Sequence, residues 1–151
     1  CQKSVTMTIL SASAILKEGN TAVITGASSG IGRAAALYCA SKGMNVWMAD
    51  VDAKELDDAR TLVSKEATSS KQKIESMVVD VSDSAAVESL AQAVFADSGK
   101  CNFLMNNAGT GLGGGPMTDM KLVQRVMGVN TYGPINGCLA FVPRMKGPGI
   151  I

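Results

Sequence analysis

The sequence predicts an α/β fold, a parallel sheet with helices on both faces, from three observations. Apolar runs of strand length alternate with amphipathic stretches along the chain. A glycine-rich turn, Thr25-Gly26-Ala27-Ser28-Ser29-Gly30-Ile31-Gly32, joins the first apolar run to a helix of small residues. Polar clusters at Asp50, at Asp80-Val81 and at Asn106-Asn107-Ala108-Gly109 fall where later strands end. In a doubly wound sheet that is the edge where ligands bind.

The elements follow in order. Residues 1–20 read as a lead-in rich in Ser and Thr, and 21–151 as one domain. Lys3 and Lys17 with no acid before Glu18 faintly resemble the end of an organelle-targeting leader, and a plain disordered lead-in is the simpler expectation. Thr21–Thr25 is the first strand and Arg33 to Ser41 the helix after the turn. Asn45 to Ala49 is the second strand, followed by a helix with Leu56, Ala59 and Val63 on one face. A polar connector, Ser69 to Lys73, leads to a third strand, Ile74 to Val79, whose Glu75 and Ser76 suit a sheet edge. Val87, Leu90, Ala91, Val94 and Phe95 recur at helical spacing. Asn102 to Met105 is the fourth strand. A loop, Gly109 to Gly115, leads to Thr118 as N-cap of a helix carrying Leu122, Val126 and Val129 and running to about Met145. Pro148 to Ile151 begins a fifth strand.

Bulk properties narrow the function classes. The chain has 151 residues, 46% hydrophobic and 18% charged, enough for one globular core. A net charge of +1 gives no electrostatic case for nucleic acid or an anionic membrane surface. No apolar stretch reaches the length of a membrane-spanning helix. Cys1, Cys39, Cys101 and Cys138 lack zinc or redox-pair spacing, and there is no histidine to build a His-based triad or metal site. Scattered cysteines of this kind are expected as small buried hydrophobes in a reducing compartment, the cytoplasm or an organelle matrix or stroma.

The glycine turn reads as a pyrophosphate holder. Gly26, Gly30 and Gly32 serve a tight turn, close approach of backbone to phosphate and close packing of helix on strand. The peptide nitrogens from Ser28 through Ile31 to Gly32, at a helix start, offer unpaired N–H groups and the positive end of the dipole to an anion. Ser28 and Ser29 can add hydroxyl donors.

Together these motifs resemble the short-chain dehydrogenase/reductase family from about Thr21 to Ile151. The resemblance rests on Thr25-Gly26-x-x-x-Gly30-x-Gly32, Asp50, Asp80-Val81, Asn106-Asn107-Ala108-Gly109 and an Asn in the next helix, Asn130 in Gly128-Val129-Asn130-Thr131. It implies a Rossmann-type doubly wound parallel sheet of order 3-2-1-4-5, interrupted within strand five. It implies NAD(P) as cofactor and a small alcohol or carbonyl substrate. It also implies that Asp80 and Val81 meet the adenine and that Asn107, Ala108 and Gly109 line the cofactor cleft.

Asp50 bears on cofactor choice. A carboxylate there can accept both hydroxyls of the adenosine ribose and would repel a 2′-phosphate. Two unit charges about 4 Å apart cost about 4 kcal/mol at an effective dielectric of about 20. No Lys or Arg follows at Val51 or Asp52, so NAD is expected over NADP. A solvated strand-ending acid is the alternative for Asp50, and a helix cap for Asp80.

Asn130 is set apart by Pro134, which lies four residues on and has no N–H to give its carbonyl. Gly128, Gly133 and Gly137 weaken the same stretch, so a kink is expected at Asn130. In the family this carbonyl holds a water that passes protons toward a catalytic lysine; a packing helix with a proline kink is the alternative.

Family enzymes also carry a Ser after strand five and a Tyr-x-x-x-Lys on the following helix. The given sequence stops at Ile151, ahead of both, and Tyr38 in the first helix and Tyr132 are not expected to stand in for them. Residues 1–151 alone are therefore not expected to transfer hydride. Two further strand–helix units, or another chain, are expected to cover the open end of the sheet; several hundred Å² of apolar surface there is worth on the order of 10 kcal/mol. Two functional readings stay open: the N-terminal part of an NAD-dependent oxidoreductase, or a non-catalytic, nucleotide-binding or structural subunit of a larger assembly; in either, a homo-oligomer or a larger complex is expected to cover the open face.

Overall fold

The structure, a computed structural model, describes residues 12–111, 119–146 and 149–151. Four strands form one parallel sheet: β1 (Thr21–Thr25), β2 (Asn45–Asp50), β3 (Ile74–Val78) and β4 (Phe103–Met105). Their order is β3-β2-β1-β4. Ile150 extends it, pairing in parallel with Phe103 through Leu104 N–H to Ile150 O and Ile150 N–H to Asn102 O. The expected order is thus observed as far as the described residues reach, with β3 and its polar Glu75 and Ser76 at the edge. Pro148 lies outside the described residues.

Helices α2 (Gly30–Ser41), α3 (Ala53–Ser64) and α4 (Ser84–Ser98) connect the strands. Because side chains alternate along a strand, each strand feeds two cores. Ala22 and Ile24 of β1 with Val46 and Met48 of β2 pack under α2 and α3, where Leu56, Ala59 and Val63 are buried. Val23, Trp47 and Leu104 point the other way, onto Val87, Leu90, Ala91 and Val94 of α4. Phe95 is half-buried and meets Phe141 with ring centroids 5.9 Å apart.

Several boundaries differ from expectation. Residues 1–11 of the lead-in lie outside the described residues, and from Ala12 on it is ordered: a short helix α1 (Ala12–Ile15) buries Ile15 completely, and Asn20 Nδ2 donates to the Ile15 carbonyl at 2.8 Å. Helix α2 begins three residues early, at Gly30. Thr118 and the loop at 112–118 lie outside the described residues; the N-cap of α5 (Met120–Met127) is Asp119, whose carboxylate accepts the Lys121 N–H. The long helix is also not continuous. A π-helical turn, Gly128–Tyr132, separates α5 from α6 (Gly133–Phe141). Its Gly133 N–H reaches back to Gly128 O. This is how the helix absorbs Pro134, and it is the form taken by the expected kink at Asn130.

Cys39, Cys101 and Cys138 are free thiols. Burial pushes Cys39 up to about 11 and Cys101 up to about 12 from an ordinary 9.0. Above pH 9 the unfolded chain would shed these protons while the folded chain keeps them, so stability should fall as pH rises from about 9 toward 11–12. Urea midpoints are expected to drop between about pH 8 and about pH 10, and Cys101→Ala to flatten that slope. An unchanged slope in the variant would show that other groups carry it.

Candidate functional site

A cleft of about 630 Å³ opens at the carboxyl ends of the four strands. It draws together most of the residues singled out in the sequence. Gly26, Ser28, Ser29, Gly30 and Ile31 form one wall. Asp50 stands at the end of β2, and Asp80 and Val81 follow β3. Asn107, Ala108 and Gly109 close the inner side after β4. Gly32 and Asn130 do not line the cleft; they stand behind it and hold it in shape.

The glycine turn owes its shape to close backbone approach. Gly26 has φ +65°, and a Cβ there would lie 2.8 Å from Ala108 Cα. A Cβ on Gly32 would lie 2.1 Å from the Gly26 carbonyl oxygen, so only glycine lets α2 sit this near the strand. The turn is tied to β4 through Thr25, whose Oγ1 accepts the N–H groups of Asn107 at 3.0 Å and Ala108 at 3.1 Å. Asn107 Nδ2 completes the tie by donating to the carbonyls of Thr25 and Gly26.

The N-terminus of α2 faces the cleft without a cap. Ser29 is its N-cap but makes no side-chain capping bond, and no acid sits in the first turn. Among the described residues, the N–H groups of Ser29, Gly30, Ile31 and Gly32 have no acceptor. Ser28 differs from expectation: its N–H donates to Asp50 Oδ2 at 3.0 Å, so the free nitrogens begin one residue later. The chemistry of the exposed tip fits a small polyanion.

Asp50 is fixed by backbone donors. Oδ2 takes the Ser28 N–H, while Oδ1 accepts from Val51 at 2.8 Å and Asp52 at 3.3 Å. Asp80 Oδ1 accepts from the Ser82 N–H and hydroxyl, and the cap of α4 is Asp83, which removes the capping alternative for Asp80. The Val81 carbonyl is taken by Asn136 Nδ2 at 2.9 Å. Asn130 grips the backbone of Thr110 with both ends of its amide, accepting its N–H at 2.8 Å and donating to its carbonyl at 2.9 Å. Asn106 stays behind the cleft, packed on Gly137, where a Cβ would lie 2.1 Å from its Oδ1.

Sequence reasoning missed Arg125 and Val129, which reach the cleft from α5 and the π turn. Their i, i+4 spacing, which stacks side chains on one helix face, was the available signal. Arg125 is the one cation among lining residues that include Asp50, Asp52, Glu55 and Asp80. The sequence also contains a Tyr-x-x-x-Lys, Tyr38 to Lys42. It lies at the far end of α2, about 12 Å along the helix from Gly30, with Lys42 Nζ 5.0 Å from the Tyr38 ring centroid. Neither side chain lines the cleft, so this spacing is no part of the site.

The chain is similar to SadH of Mycobacterium tuberculosis, an oxidoreductase by name, with 37% identity over 133 residues, 87% of this chain and 47% of SadH. The same share of this chain matches only 22% of the longer mycobacterial EphD. Among solved structures it is similar to a Burkholderia phymatum short chain dehydrogenase/reductase in complex with NAD (38% identity, TM-score 0.78, 85% of this chain and 44% of that one). It is also similar to a metagenomic short-chain oxidoreductase in complex with NADP (33% identity, TM-score 0.77, 85% and 57%). The chain thus spans about half the length of SadH and of these structures. Residues 20–151 match the short chain dehydrogenase family throughout, and the chain belongs to that family.

Proposed function

We propose that the cleft binds an adenine dinucleotide, NAD in preference to NADP, and that the intact protein uses it to oxidise an alcohol or reduce a carbonyl. The observation that carries this reading is the uncapped start of α2, with four N–H groups lacking acceptors, opening beside a carboxylate already held in place. When bound, the dinucleotide supplies the hydride chemistry. The chain supplies binding and orientation: the glycine turn for the diphosphate, Asp50 for the adenosine ribose, Asp80 and Val81 for the adenine, and Asn107 to Gly109 for the inner wall.

Asn130 serves through position. Its side chain holds Thr110, and its carbonyl has no i+4 donor because Pro134 lacks an N–H. To that carbonyl we assign, by carry-over from the family, the holding of a water. The same helical stretch exposes Tyr132, Ile135, Leu139 and Val142, at 57%, 47%, 70% and 40%. This stripe is the contact surface we assign to a second copy in a homo-oligomer.

Calorimetric titration of the intact protein tests the reading. NAD is expected to bind about tenfold or more tightly than NADP at low salt, because the carboxylates of the cleft oppose a 2′-phosphate. No binding of either cofactor, or tighter NADP, would overturn it.

A further inference from the structure

We propose that Asp50 is also a positioning residue: a strut that sets the glycine turn before any ligand arrives, independently of contact with ribose hydroxyls. The inference rests on the dinucleotide reading above and adds a second task for the same carboxylate.

The geometry separates its two oxygens. Oδ1 is held by the N–H groups of Val51 and Asp52, which pins the carboxylate to the end of β2. Oδ2 crosses to the glycine turn and takes the Ser28 N–H. The Ser28 carbonyl accepts in turn from Arg33 Nη1 at 3.4 Å, so Ser28 is held at both its N–H and its carbonyl. Ser28 is buried at 4% exposure, where an N–H without an acceptor is costly. The Ala27 N–H to Ala49 O bond ties the same two segments and survives loss of the carboxylate, so an Asp50 variant keeps its fold and loses only the second tie. The peptides released are those leading directly into the free N–H groups of Ser29 to Gly32.

Charge and positioning pull in opposite directions, and this makes the proposal testable. If Asp50 met only ribose hydroxyls, removing it would leave a ligand without those hydroxyls unaffected, or bound more tightly because a negative charge near a diphosphate is gone. A strut predicts the opposite. ADP and 2′,3′-dideoxy-ADP are titrated into the intact protein and into its Asp50→Ala and Asp50→Asn variants, and amide exchange at Ser28 is followed without ligand. Asp50→Ala is expected to weaken dideoxy-ADP about three- to tenfold and to speed Ser28 exchange about tenfold. Exchange at Val23 and Val46 in the core should stay unchanged. Asp50→Asn keeps one oxygen where the carboxylate uses two, so the Ser28 N–H competes for it with those of Val51 and Asp52, and dideoxy-ADP binding and exchange should fall between those of the parent and of Asp50→Ala.

Unchanged or tighter dideoxy-ADP binding by Asp50→Ala overturns the strut while leaving the dinucleotide reading intact. So does unchanged Ser28 exchange in Asp50→Ala. Failure of the unaltered protein to bind ADP overturns the dinucleotide reading instead, and the strut falls with it.

Discussion

Gly32→Ala is expected to destabilise the domain by about 3 kcal/mol or more and to remove measurable ADP binding. The added methyl would meet the Gly26 carbonyl oxygen at 2.1 Å and Asn107 Nδ2 at 2.7 Å. The first of these is backbone, so no rotamer change relieves it. Either α2 moves away from β1, opening the core at Ala36, Cys39 and Ala40, or the turn moves and Gly26 loses its seat against Ala108. Both routes displace the free N–H groups at the start of α2. Urea unfolding and calorimetry check the two effects together, and a variant within about 1 kcal/mol of the parent would show that the turn gives way cheaply.

Thr25→Val is the second large effect. The side chains have nearly the same shape, but the hydroxyl of Thr25, on a residue 5% exposed, accepts two backbone N–H groups. Valine leaves the amides of Asn107 and Ala108 without that acceptor, at about 1–3 kcal/mol each, so a total of about 2–6 kcal/mol is expected. Thr25→Ser keeps the oxygen and should recover most of the loss. Equal destabilisation by Ser and Val would mean that the methyl group matters and the hydrogen bonds do not. Because Asn107 and Ala108 line the cleft, weaker cofactor binding should accompany the Val variant.

The sheet was legible because the buried strands are short and apolar and their neighbours are amphipathic. Leu56, Ala59 and Val63, and likewise Val87, Leu90, Ala91 and Val94, fall on the faces their spacing predicts. The cleft residues at strand ends were legible for a topological reason: a doubly wound sheet brings those ends together whatever the sequence between them. What escaped depends on backbone partners or on how one element crosses another. The Ser28 N–H looks free in sequence and is claimed by Asp50, 22 residues away. Asp80 and Asp83 both precede a helix, and only the carboxylate-to-amide geometry decides which one caps it. Arg125 enters the cleft from α5; its i, i+4 spacing with Val129 marks a shared helix face but not what that face meets. Ile15 belongs to the domain because its side chain is fully buried and its carbonyl accepts the Asn20 side-chain amide, although nothing around it in the sequence marks a regular element.

The π turn at Gly128–Tyr132 has a consequence for chain length. One residue more or fewer in that turn would rotate everything after it by about 100° relative to everything before it. Gly137 would swing off Asn106, Asn136 off the Val81 carbonyl, and Pro134 would meet a different carbonyl. Substitutions here can be absorbed one side chain at a time, whereas a single-codon insertion or deletion would unseat both contacts at once. This helix can vary in letters but not in length.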